Sequence, residues 1–246
     1  MEKINSKVVI FAREEDVSAS KYEDNYEEVM ANDIIMLPNE KITEFNNAHN
    51  ILGNKKISNN SILISHPYKE NYYISIEDSD ELIQREKLAN TADLARLLGA
   101  KKFEVLSVVQ QETEKQYEID INGRLKVTTL KTKLNKKISK KLKKAYSIEN
   151  TYPGAKPEYQ KALEKLKSYG LIIDPEVKAL VESRNPNDSN QITTQKISLK
   201  TASEINENLD IASSLVALGG ILDISANFKS RISSRKSMEL SINIEF

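Results

Sequence analysis

From Phe103 onward the chain alternates: Phe103, Val105, Val109, Tyr117, Ile119 and Ile121 share one parity, with Ser107, Gln111, Thr113 and Lys115 between them. That is the spacing of one strand face. Asn122-Gly123 follows and signals a hairpin. A three-residue loop, Ile121-Asn122-Gly123, pairs Asp120 with Arg124, Ile119 with Leu125, Glu118 with Lys126 and Tyr117 with Val127. Apolar residues then meet on one face and opposite charges on the other.

Shorter alternating or apolar runs predict further strands. Val8–Ala12 is one, and Asp33–Pro38 is another, stopped by its proline. Between them, residues 13–32 are polar and acidic and read as a loop with some helical character. Ser61–Pro67 and Asn71–Asp78 flank a polar turn and read as two strands. The tail predicts a strand near Ile192–Lys200, then Leu222–Phe228 and Met238–Phe246, with the polar Lys229–Ser237 as a turn.

Helical spacing appears elsewhere. Asn39 caps a stripe of Ile42, Phe45, His49 and Leu52 that Gly53 ends. Asp78 and Glu81 form a capping box for a helix whose second half is apolar nearly all round (Leu88, Ala92, Leu94, Ala95, Leu97, Leu98). Such a helix must be covered on several sides. Leu130, Leu134, Ile138, Leu142 and Tyr146 recur every four residues, which predicts a helix with lysines in the gaps. A helical hairpin is expected near 155–186: Tyr159, Ala162, Leu163, Leu166 and Tyr169 form its first stripe, and Asp174-Pro175 opens its second helix. Near the end, Thr201 and Glu204 box a helix with the stripe Ile205, Leu209, Ala212 and Val216, halted at Gly219-Gly220.

These elements predict one α+β domain over 1–246: a mixed, mainly antiparallel sheet with long β-hairpins, helices packed on it, and 155–186 as a helical hairpin insertion. At 246 residues and 39% hydrophobic, the chain can bury a substantial core.

Composition removes several chemistries. Cysteine is absent, which excludes disulfides, thiolate metal sites and cysteine nucleophiles. The first residues carry only a five-residue apolar run and no secretory pattern. The most apolar window, Ile211–Leu222, is far shorter than a membrane-spanning helix. A cytoplasmic protein, peripheral to a membrane at most, is expected. The two histidines, His49 and His66, are too few for the usual zinc sets. His49 lies on its helix's apolar stripe and reads as a core residue. No phosphate-cradling glycine motif is present. A metal-dependent nuclease would place a carboxylate such as Asp120 on one strand and Glu-x-Lys on the next. Here the second strand reads Thr129-Leu130-Lys131 and lacks the glutamate. An enzyme, a cofactor and a bound metal are therefore not expected.

Charge is the sharpest feature. The chain holds 36 Lys+Arg and 36 Asp+Glu, but residues 1–123 carry 14 and 23 of them, leaving 22 and 13 for 124–246. From Arg124 through Ser147 there is no acidic residue. Lys131, Lys133, Lys136, Lys137, Lys140, Lys141, Lys143 and Lys144 concentrate there. Such a segment suits an anionic partner protein, an anionic membrane surface or nucleic-acid phosphates. Base stacking would need aromatics, and Tyr146 alone is near. The leading expectation is a non-enzymatic interaction or assembly protein using 124–146 on an anionic partner or membrane surface. The long hairpin also admits a pore-forming, oligomeric variant. Nucleic-acid binding is the second class, and a degenerate nuclease the third. The competing structural reading is a solvated lysine face neutralised by the acidic half.

Overall fold

The computed structural model describes residues 4–53, 56–119, 125–135, 146–200, 203–218 and 226–246. The chain is α+β, and it divides into two compact units. The first comprises Met1–Leu82, Glu112–Lys133 and Ala202–Lys236. The second comprises Ile83–Gln111, Leu134–Thr201 and Ser237–Phe246.

The first unit is built on a five-stranded mixed sheet. Strand β1 (Val8–Ala12) runs parallel to β2 (Ile34–Pro38) and antiparallel to β4 (Ile62–Ser65). Strand β5 (Tyr72–Ser75) is antiparallel to β4 and parallel to β3 (Asn50–Leu52), giving the order β2-β1-β4-β5-β3. All five residues of β1 are buried, so its continuous apolar run reflects cover on both faces. The acidic stretch after β1 forms two short helices, α1 (Glu14–Ser20) and α2 (Tyr26–Met30).

Helix α3 (Ile42–Ala48) ends sooner than the sequence stripe suggests. His49 is extended (φ −133°, ψ 154°), and the next three residues pair with β5 instead of continuing to Gly53. The backbone groups of Asn50–Leu52 gain sheet partners that a longer helix would deny them. Phe45 sits at the centre of the core. It meets Phe11 edge-on at 5.3 Å and Tyr73 at 5.2 Å, and it stacks on His49 at 4.2 Å.

Tyr73 is 2% exposed, and its hydroxyl lies 3.0 Å from the Ile4 carbonyl and 2.9 Å from that of Ser6. Burial pushes its pKa up from 10.0 to about 12. Below pH ~10 folded and unfolded chains both keep the phenolic proton. Between about 10 and 12 only the folded chain does, so stability falls as pH rises through this window, by about 2–3 kcal/mol in all. A Tyr73→Phe protein should lack this part of the alkaline loss. Urea unfolding of both proteins from pH 9 to pH 12 checks it: parallel curves would refute the assignment.

Two further helices lie in the first unit. Helix α7 (Ser203–Ser213) continues as a 3₁₀ turn, Ser214–Leu218, and α8 spans Ala226–Ser233. The 3₁₀ turn tightens the period, so Leu215 and Leu218, both 0% exposed, follow Ala212 into the core in place of Val216. The sequence predicted strand through Ala226 and Phe228, and a turn from Lys229. Helix α8 replaces both from Ala226 to Ser233. Phe228 and Ile232, four apart, are buried on one helical face.

Helix α4 (Ser79–Leu97) starts next to Asp78. Its residues from Ile83 belong to the second unit, where Leu88, Leu94, Ala95, Leu97 and Leu98 are buried around its circumference. Gly99 ends it at φ +87°, in a space so tight that a Cβ there would lie 2.2 Å from the Ala155 carbonyl oxygen. Helices α5 (Tyr159–Ser168) and α6 (Pro175–Glu182) form the expected helical hairpin. Asp174 caps α6, accepting from the backbone of Glu176 and Val177. The same carboxylate pairs with Lys87 Nζ, which is 3% exposed and also donates to the Lys200 carbonyl.

The second sheet has the order β7-β6-β10-β9, with β8 (Glu149–Thr151) beside the start of β6. Strands β6 (Lys102–Ile119), β7 (Leu125–Asn135) and β10 (Ser234–Glu245) are long; β9 spans Thr194–Lys200. The predicted helix over Leu130–Tyr146 is therefore corrected where it can be seen: Leu130–Asn135 continue β7. Leu130 and Leu134 share parity as well as helical spacing, and pairing beside β6 selects the strand. At the far end, the Phe246 amide donates to the Thr193 carbonyl. The Arg184 guanidinium covers the Phe246 ring at 4.3 Å, and Lys101 Nζ reaches its carbonyl. Arg184 is 9% exposed and donates to the carbonyls of Leu98 and Ile192. Burial lowers its pKa.

Candidate functional site

The basic segment begins on β7, which among the described residues is an edge strand of the second sheet. Lys131 and Lys133 occupy alternate positions of that strand and so share its parity. Lys136, Lys137, Lys140, Lys141, Lys143 and Lys144 lie outside the described residues, as do Asp120 and the loop proposed at Ile121–Gly123. The chain re-enters the described structure at Tyr146, whose side chain is 0% exposed. The one aromatic that the sequence places beside the lysines is therefore in a core, and it offers no face to a nucleobase.

The acidic half bears on whether those lysines are neutralised. Glu14, Glu23, Asp24, Glu27 and Glu28 are exposed on α1, α2 and the turn between them. Among the described residues none of these five makes an ion pair. Among the described residues Asp16 pairs with Arg13, Glu44 with Lys41, Glu104 with Lys102 and Asp93 with Arg96. The carboxyl of Asp93 is shifted below its usual range. Burial opposes that shift, and hydrogen bonds from Arg96 and Tyr169 outweigh it.

The histidines have structural surroundings. His49 Nε2 lies 3.0 Å from the Ile4 amide nitrogen and 3.2 Å from the Ile4 carbonyl, and Nδ1 lies 3.1 Å from the Phe45 carbonyl. His66 Nδ1 accepts from the Tyr68 amide at 3.0 Å. Among the described residues no group of three or more His, Asp or Glu could hold a metal ion. No described helix is long and apolar enough to cross a membrane.

A cleft of about 350 Å³ opens at the C-terminal ends of β3 and β5. Lys56, Asn59, Asn60, Ser61 and Glu77 line it above Ile57 and Phe228. It is polar and carries one charge of each sign.

Helix α7 is fastened to the first sheet by polar contacts that the sequence did not single out. Asn208, 3% exposed, donates from Nδ2 to the Ser65 carbonyl at 3.1 Å and to Ser65 Oγ at 3.2 Å. Its neighbour Glu207 accepts from Lys7 Nζ at 2.5 Å. An asparagine inside a helical stripe was the available signal, and it points inward only once α7 is docked on β4.

No family model, no curated protein and no solved structure matches this chain.

Proposed function

We propose that the chain is a non-enzymatic assembly protein that docks on an anionic lipid surface through residues 124–146. One observation carries the reading. A run of residues without a single acid starts on an edge strand, where Lys131 and Lys133 alternate, while five exposed carboxylates of the acidic half make no ion pair among the described residues. Burial of Tyr146 favours a surface of phosphates over stacked bases, because stacking needs an exposed ring.

Each lysine near an anionic leaflet contributes about 1 kcal/mol, and the attraction is screened within a Debye length. Replacing Lys136, Lys137, Lys140 and Lys141 by Ser should therefore weaken binding to phosphatidylserine-containing vesicles by at least tenfold. Raising salt should weaken wild-type binding as well. Co-sedimentation at two salt concentrations reads both effects. Equal binding by the two proteins, or a preference for an acidic protein or an oligonucleotide over the vesicles, would overturn the lipid assignment.

A further inference from the structure

Strands β9 and β10 pair antiparallel from Thr194 with Glu245 to Lys200 with Glu239. The two strands stop unevenly. On the β10 side, Ser234–Met238 are already extended beyond the last β9 partner. On the β9 side the chain has turned into α7 by Ser203. Continuing the same register without a skip pairs Glu204 with Arg235, Asn208 with Arg231 and Asp210 with Lys229. It closes on Gly219-Gly220 as a two-residue loop. Two-residue hairpin loops require positive φ, and Gly-Gly is among the sequences that supply it.

Over residues 209–217 and 222–230 the two faces of that extended hairpin differ in polarity, and Leu218 with Ile221 adjoins the loop on the more polar face. On one lie Leu209, Ile211, Ser213, Leu215 and Ala217, opposite Ser230, Phe228, Ala226, Ile224 and Leu222; Glu207 shares their parity just outside this band. On the other lie the three charged or polar pairs just named, then Ala212 with Asn227, Ser214 with Ser225 and Val216 with Asp223. Residues 209–217 and 222–230 give each arm a band of nine positions, and a bilayer-crossing strand needs roughly 9–11. Alternation of apolar and polar positions is the pattern of a strand with lipid on one side and water on the other. The helical form obeys a second period written into the same residues. Ile205, Leu209 and Leu215 are 0%, 1% and 0% exposed in the structure, and all three also fall on the apolar face of the hairpin.

We propose that residues 201–238 are a latent β-hairpin. In the structure 203–213 and 226–233 of this stretch are helical and 234–238 are already extended; released from β4, the stretch lengthens the β9–β10 ladder and enters a lipid bilayer. Open strand edges are not tolerated in hydrocarbon, so hairpins from several copies of this chain close the sheet. This rests on the lipid-surface reading for delivery to the membrane, and on the register, the Gly-Gly closure and the two faces for the insertion itself.

Two experiments test it, and the absence of native cysteine makes both unambiguous. The first joins α7 to β4 through Ser65→Cys and Asn208→Cys, whose parent side chains touch. Oxidised, this protein should bind phosphatidylserine vesicles as wild type does but release no trapped dye, and reduction should restore release. Undiminished release with the disulfide formed would overturn the proposal. The second places single cysteines, Leu209→Cys through Val216→Cys, each labelled with an environment-sensitive dye. The labelled proteins are read on vesicles and in uncharged detergent micelles, which need no lysine docking. A rise in fluorescence at odd positions alone is expected in both. A helical period, or no change, in micelles would sink the hairpin. Period two in micelles without vesicle binding would sustain the hairpin and remove only the docking step.

Discussion

Asp174→Ala should cost the second unit about 3–5 kcal/mol, because it takes a carboxylate from a buried ammonium and the cap from α6. Lys87 is 3% exposed on its side chain, and Asp174 is its ionic partner. The carboxylate also caps α6 through two backbone amides, a role worth about 1 kcal/mol by itself. The effects of the two partners should be unequal. Lys87→Met leaves a carboxylate that is 12% exposed and still accepts two amide hydrogen bonds, so its cost should be smaller. A Lys87→Met/Asp174→Asn protein keeps a capping oxygen and buries no charge, and it should recover most of the stability lost in Asp174→Ala. Urea unfolding of the three proteins decides the point. A double variant as unstable as Asp174→Ala would show that loss of the carboxylate beside the buried ammonium does not account for the cost.

Phe45→Ala should be of similar size in the first unit, about 3–5 kcal/mol. The ring is 0% exposed and touches Phe11, Tyr73 and His49. Its removal leaves a cavity walled by three rings that cannot all move in, since His49 is fixed by Ile4 and Phe45 backbone groups. Phe45→Leu keeps most of the volume and should lose well under half as much. Thermal unfolding of both variants checks this. Equal losses would show that edge-to-face ring geometry, not volume, sets the stability of the site.

The sequence displayed elements whose signals were local. The apolar run at Val8–Ala12, the Asp174-Pro175 helix start, and the alternation of Met238, Leu240, Ile242 and Ile244 all correspond to elements in the structure. Three readings failed where one set of residues satisfied two periods. His49 and Leu52 fit a helix until parallel pairing beside β5 claimed Asn50–Leu52. Leu130 and Leu134 fit a helix until β6 claimed them. Phe228 fits a strand until α8 buries it together with Ile232. Local spacing cannot choose between periods when the deciding partner lies far away in the chain. The same holds for side-chain partners: nothing near Lys87 announces Asp174, and nothing near Asn208 announces Ser65. Of the candidate lysines, the sequence showed the clustering, and the structure adds an edge strand for Lys131 and Lys133.

Phe246 is gripped by the Arg184 guanidinium, the Lys101 ammonium and the Thr193 carbonyl. That grip clamps one end of the β9–β10 ladder. The other end is held as well, by Lys87 and Gln84 on the carbonyls of Lys200 and Leu199, so heating or mechanical load should part the two strands only when one of these clamps gives way.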